Sequence, residues 1–330
     1  MTSATSPGQH ASPLQPVLFE VKRIIVGQDL LLERMAVALL SGGHLLVEGV
    51  PGLAKTLSVK SLAAAVGGQY QRIQFTPDLV PADLTGTRVY HQHSGEFQTQ
   101  LGPVFTNLLL ADEINRAPAK VQSALLEVMQ EHQVTIGRET FQVPEPFLVM
   151  ATQNPIESEG THPLPEAQVD RFMMKVVVGY PSPTEEHAIV DRALRPAEPV
   201  REMLTPADLL RMQDSVREIY VDPAVVDYAV RLVTATRNTF AAGLADQKRY
   251  ISYGASPRGS IALVAGARAL AFLRGRDYAL PDDVAELAPD VLRHRIVLSY
   301  EALADEITAD SIITRVLDAV AAPDVVLSGR

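Results

Sequence analysis

The chain has no cysteine among its 330 residues, which excludes disulfides, thiolate metal sites and cysteine nucleophiles and leaves the redox compartment undetermined. Nowhere do eighteen uncharged apolar residues follow one another, so no membrane-spanning helix is expected. The opening, MTSATSPGQHASPLQP, is rich in Ser, Pro and Thr and lacks the apolar stretch of a secretory leader. A disordered tail over residues 1–16 and a cytoplasmic location are the expectations. Basic residues are in deficit, 29 Lys and Arg against 39 Asp and Glu for a net charge of −10. That balance argues against nonspecific nucleic-acid binding, which demands a basic surface, although a local basic patch stays open. No internal repeat is visible. At 47% hydrophobic and 21% charged residues, the chain can bury a full core and has the length of two domains.

What is present begins with Gly49 to Thr56, GVPGLAKT, after the short apolar run His44 to Glu48. A strand ending in a glycine-rich turn, with Lys-Thr opening a helix, suits a triphosphate. Gly49 and Gly52 let backbone N–H groups approach phosphate oxygens, and Lys55 adds a point charge near the β and γ phosphates. Thr56 can ligate Mg²⁺ where the helix N-terminus faces the anion. The helix is expected to run from Leu57 to Val66 and to stop at Gly67-Gly68. The usual pattern has glycine before the lysine, and this chain has Ala54. Alanine accepts helical backbone angles, so the loop is expected to form with slightly less room for the α and β phosphates. Without further support, the segment also reads as an ordinary glycine turn before an amphipathic helix.

A phosphate loop needs a metal partner and a water-activating base at the end of a neighbouring strand. Asn107 to Glu113, NLLLADE, supplies an apolar run buried on both faces, with Asp112 and Glu113 at its carboxyl end. Asp112 is the candidate for the Mg²⁺ shell beside Thr56, and Glu113 for polarising the attacking water. The alternative is two carboxylates ending a strand in solvent.

Strand-like runs at 44–48, 72–76, 107–112, 146–152 and 173–178 alternate with helical segments, as in a mainly parallel sheet covered on both faces. Beyond Pro181 helices take over. Ser182-Pro183, Thr205-Pro206, Asp222-Pro223 and Ser256-Pro257 each place a capping side chain before a proline at the first helical position, and Glu185 completes a capping box with Ser182. The expected organisation is a tail to residue 16, an α/β nucleotide-binding domain over 17–181 and a helical domain over 182–330. Two hairpins are expected as insertions, at 87–100 around a His93–Gly95 turn and at 133–143 around Gly137. His91, His93 and His132 read as solvated hairpin residues.

The chain resembles MoxR-type AAA+ ATPases from about Val21 to Val297. The likeness is carried by VGQ at 26–28, VEGVPGLAKT at 47–56, LLADEINRAP at 109–118, MATQNPIESEGTHPLPEAQVDRF at 150–172 and GASPRGS at 254–260. The resemblance implies a P-loop AAA+ core with a five-stranded parallel sheet and hairpin insertions, followed by a helical lid. It implies ATP and Mg²⁺ as cofactors, with Gly49, Val50, Pro51, Gly52, Leu53, Ala54, Lys55, Thr56 and Asp112 around the nucleotide and Val26, Gly27 and Gln28 against adenine. Asn154 matches sensor 1, although an Asn-Pro turn explains it equally well in isolation. Arg171 matches the arginine finger that a neighbouring subunit supplies; a local salt bridge to Asp170 or Glu166 is its alternative. Arg258 matches sensor 2. A cation in the first turn of a helix opposes the helix dipole and so asks for a nearby anion, and a solvated arginine is the other reading.

In such rings hairpins of this kind face the pore or one side, where they grip a polypeptide; a stabilising elaboration of the sheet edge is the alternative. The resemblance implies a homo-hexamer remodelling protein clients, including partners with a von Willebrand factor A domain. A chelatase-type motor for metal insertion is a second reading, and a nucleotide-gated scaffold or nucleic-acid-associated ring is a third.

Overall fold

A computed structural model describes residues 12–93, 95–155, 160–196 and 198–324. Two helices open it, α1 (Gln15–Ile24) and α2 (Asp29–Ser41). The helix α1 begins inside the segment expected to be a tail, and Leu14 is fully buried; residues 1–11 lie outside the described residues.

The α/β core follows as β1 (Leu45–Gly49), α3 (Lys55–Ala65), β2 (Tyr70–Gln74), α4 (Pro81–Thr85), the hairpin β3 (Gly86–His91) and β4 (Glu96–Leu101), then β5 (Leu108–Asp112) and α5 (Ala119–Glu131). It continues through the hairpin β6 (Gln133–Ile136) and β7 (Glu139–Gln142), then β8 (Leu148–Gln153), α6 (Glu166–Val169), β9 (Met174–Val178) and α7 (Pro183–Ala193). Both expected hairpins are antiparallel ribbons, with Tyr90 opposite Phe97 and Val134 opposite Phe141. Ser94, within the turn expected at His93–Gly95, is outside the described residues.

Five strands form one sheet in the order β2-β5-β8-β1-β9. The register sets Gln74 beside Asp112, Ala111 beside Ala151, and Glu48 beside Gln153, all in parallel pairs. Their carboxyl ends therefore share one edge, which is where an open α/β sheet binds ligands. The central strands are apolar because both faces are covered: Leu108 to Ala111 and Leu148 to Ala151 are fully buried, and Phe75 and Phe172 pack into the same core. Each such leucine contributes about 2 kcal/mol through its burial.

The chain forms two compact units. Among the described residues, one is Pro16–Phe172 with Val176–Arg211; the other is 212–324 with Met173–Lys175 and 12–15. The change of unit thus falls about thirty residues beyond the proline boundary at 181. The reason is hydrogen bonding: Arg192 donates to Lys22 O, Arg23 to Pro199 O, Arg201 N to Glu20 Oε1, and Met203 N to Ala65 O.

The remaining elements are α8 (Pro206–Glu218), α9 (Pro223–Arg237), β10 (Ile251–Tyr253), α10 (Pro257–Leu273), α11 (Pro281–Leu292), β11 (Val297–Leu298), α12 (Tyr300–Ala304) and α13 (Ala309–Ala319). The capping signals are in place: Ser182 accepts from Glu185 N, Thr205 from Asp208 N, Asp222 from Ala224 N and Ser256 from Arg258 N. The short antiparallel ribbon β10-β11 was not expected, since two or three residues carry no readable alternation. Among the described residues no helix is long and apolar enough to cross a membrane.

Candidate nucleotide site

Strand β1 delivers the chain to the sheet edge at Gly49, and α3 begins six residues later at Lys55. Gly52 adopts φ +87°, a backbone open to glycine, with free space where a side chain would stand. Ala54 does not take the helical angles expected of it. It lies in the left-handed region at φ 55°, ψ 15°, a conformation that costs an L-residue roughly 1–2 kcal/mol. The lysine that follows turns back on its own loop, Nζ donating to Gly49 O at 2.6 Å. Burial lowers the Lys55 pKa, while Asp112 and Glu113 pull it up; those carboxylates therefore lie close enough to act on its charge.

The acidic pair stands at the end of β5 in a shared set of hydrogen bonds. Thr152, buried on β8, donates to Asp112 Oδ1 at 2.6 Å and accepts from Glu113 N at 2.9 Å. Asp112 Oδ2 accepts from Arg72 Nη2 at 2.6 Å and Nε at 3.2 Å. Glu113 is also left-handed, at φ 55°, and its Oε2 accepts from Gln74 at 2.7 Å and Arg116 at 3.3 Å. Sequence reasoning missed Arg72, Gln74 and Thr152. The signal available was the polar pair Arg72 and Gln74 two apart on β2, legible only once β2 is known to lie beside β5.

Asn154 follows β8 at the same edge and is buried. Arg171 follows α6; it forms no ion pair with Asp170 or Glu166 among the described residues, and its Nε is buried without a hydrogen-bond partner. Part of the motif around them, residues 156–159, is outside the described residues. Arg258 stands exposed in the first turn of α10, in the helical unit.

Val26 and Gln28 line a cleft of about 990 Å³ together with Gly52, Leu53, Ala54 and Leu57. Its opposite wall is α7, through Ala188, Ile189 and Arg192, which the sequence did not point to. Gly27, at φ +68°, sits against the capping residue Glu185: an added Cβ would meet its carboxyl carbon at 2.7 Å. The apolar cleft thus joins directly onto the phosphate loop, a shape that suits a flat base attached to a charged tail. Thr56 and Asp112 supply hard oxygen donors suited to Mg²⁺. Among the described residues there is no cluster of His, Asp or Glu that would form a separate metal site. His91 and His93 are exposed as expected, but His132 is half-buried, its ring 6.2 Å from His44 and 5.9 Å from Phe147.

The family described as "ATPase family associated with various cellular activities (AAA)" matches residues 44–174, and the AAA lid domain matches 243–316. The chain is similar to Chaperone MoxR1 of Mycobacterium tuberculosis, 60% identical over 94% of this chain and 83% of that one. It is 44% identical to the uncharacterized protein YeaC of Bacillus subtilis, over 92% of each. A crystal structure of a candidate ATPase from Cytophaga hutchinsonii superposes with a TM-score of 0.90 at 47% identity, covering 94% of this chain and 95% of that one. Likeness to the magnesium-chelatase subunit ChlI-1 of Arabidopsis thaliana is distant, 26% over 76% of this chain and 55% of that one. The chain belongs to the MoxR-type AAA+ ATPases.

Proposed function

We propose that this chain binds ATP with Mg²⁺ and hydrolyses it to ADP and phosphate, as one subunit of a homo-hexameric ring that remodels protein clients. The observation that carries the reading is the joining of the Gly49–Thr56 loop, the Asp112–Glu113 pair and the apolar cleft of Val26 and Gln28 within one compact unit.

In this reading the backbone of Gly49 to Ala54 and the start of α3 hold the phosphates, and Lys55 leaves Gly49 O to meet them. Thr56 and Asp112 hold Mg²⁺, which when bound offsets charge on the β and γ phosphates. Glu113 orients and polarises the attacking water, and Asn154 positions it. Arg171 reaches the site of the adjoining subunit, and Arg258 acts as sensor 2. Kinship to a protein named as a chaperone supports a protein client; a partner with a von Willebrand factor A domain belongs to the same proposal. The chelatase reading rests on distant relatives alone. Glu113, Asn154 and Arg171 all being present favours turnover over a silent scaffold.

Phosphate release and nucleotide binding test this directly. Lys55→Ala should lose ATP affinity, whereas Glu113→Gln should bind ATP and retain it. Hydrolysis by Glu113→Gln at the parental rate would remove Glu113 from its role. Stimulation by DNA and by no protein would overturn the choice of client. Mass spectrometry of proteins captured by ATP-loaded Glu113→Gln would name the partner.

A further inference from the structure

The carboxylate assigned to Mg²⁺ is already occupied by the chain itself. Asp112 Oδ2 takes both Nε and Nη2 of Arg72, and Oδ1 takes the Thr152 hydroxyl, so each carboxylate oxygen has a donor. The two restraints differ in kind. Thr152 is buried on a central strand. Arg72 stands on the edge strand β2, its side chain 47% exposed against 17% for Asp112, and its Nη2 also donates to Gln74 Oε1 at 2.7 Å. The arginine end of this pair is half exposed and can turn into water, whereas Asp112 is mostly buried and needs another cation or donor when it does. Thr152, by contrast, is buried and has no solvent to turn into.

Resting on the nucleotide reading above, we infer that Arg72 is a positioning residue that competes with Mg²⁺ for Asp112 and so sets the magnesium concentration at which the site accepts nucleotide. Without the ion, the guanidinium offsets the charge of Asp112, a carboxylate close enough to Lys55 to act on its charge. An ion held by Asp112 would repel the guanidinium on the same carboxylate, so each cation would weaken the binding of the other. Two N–H groups of one planar guanidinium converge on Oδ2 here, whereas a lysine offers a point charge and no such planar pair of donors.

The test uses the full-length chain, a fluorescent ATP analogue and a titration of magnesium chloride from an EDTA-buffered start, with thermal unfolding as the folding control. For Arg72→Gln the magnesium midpoint of nucleotide binding should fall by about three- to tenfold, a modest change because the guanidinium is half in solvent. Arg72→Lys should fall between it and the parent. Affinity in EDTA should not rise with either, so the ratio of affinities with and without magnesium is the reading that a merely structural residue would leave alone. An unchanged or raised midpoint in Arg72→Gln, or equal weakening with and without the ion, overturns the inference. If Arg72→Gln does not fold, Arg72→Lys decides by the same criterion. A parent chain that binds no nucleotide at any magnesium concentration defeats the nucleotide reading itself, whereas normal parental binding with an indifferent Arg72→Gln defeats only the role of Arg72.

Discussion

Thr152 Oγ1 donates to Asp112 Oδ1 at 2.6 Å and itself accepts the backbone N–H of Glu113 at 2.9 Å. One side chain on β8 therefore fixes both the carboxylate assigned to the metal and the left-handed backbone of the residue assigned to water activation.

Thr152→Val keeps the shape of that side chain and removes its oxygen. The Glu113 N–H loses its acceptor and Asp112 one donor at a part-buried site, a loss of about 1–3 kcal/mol. Urea unfolding should show a lower midpoint with unchanged slope, and phosphate release should fall further than stability alone explains. A variant as stable and as active as the parent would show that this link holds nothing in place.

Ala54 supplies a backbone prediction. Glycine at φ 55° avoids the left-handed penalty of roughly 1–2 kcal/mol, but it adds about 0.5–1 kcal/mol of unfolded-state freedom. The Ala54→Gly variant should be equal to or slightly more stable than the parent. Ala54→Val, β-branched at a positive φ, should melt several degrees lower. If valine melts at the parental temperature, the loop is not left-handed at this position.

His44 predicts a pH dependence. Its Nδ1 accepts from Val149 N at 3.1 Å and its Nε2 faces Met129 O at 3.1 Å, an arrangement that needs a neutral ring. Burial is the main cause that pushes its pKa from 6.5 down to about 4, with His132 adding to the push and the Met129 carbonyl opposing it. Because the unfolded chain takes up this proton first, stability is full above pH 6.5 and declines as pH falls towards 4. That contribution amounts to about 3 kcal/mol. His44→Gln, which cannot titrate, should flatten the decline between those values in denaturant titrations. An identical slope in the variant would assign the acid sensitivity elsewhere.

Arg171 allows a test of a shared site. Arg171→Ala alone should bind nucleotide and fail to hydrolyse it, as should Glu113→Gln. Mixed together, the two should regain part of the activity, because some interfaces then combine an intact glutamate with an intact arginine. Absence of any recovery in mixed assemblies would count against a finger acting between subunits.

The chain by itself determined what is local. The phosphate loop, the carboxylates ending an apolar strand, both hairpins and four capped helix starts depend on residues adjacent in sequence, where glycine, proline and capping chemistry act directly. The tertiary structure decided what depends on register and crossover. Arg72 and Gln74 meet Asp112 and Glu113 across some forty positions, since β2 lies beside β5 while β1 is inserted between β8 and β9. The wall that α7 gives to the cleft and the half-burial of His132 arise in the same way. The left-handed turn at Ala54 belongs with them: an alanine's intrinsic preference points to helical angles, and the path from β1 into α3 overrides it.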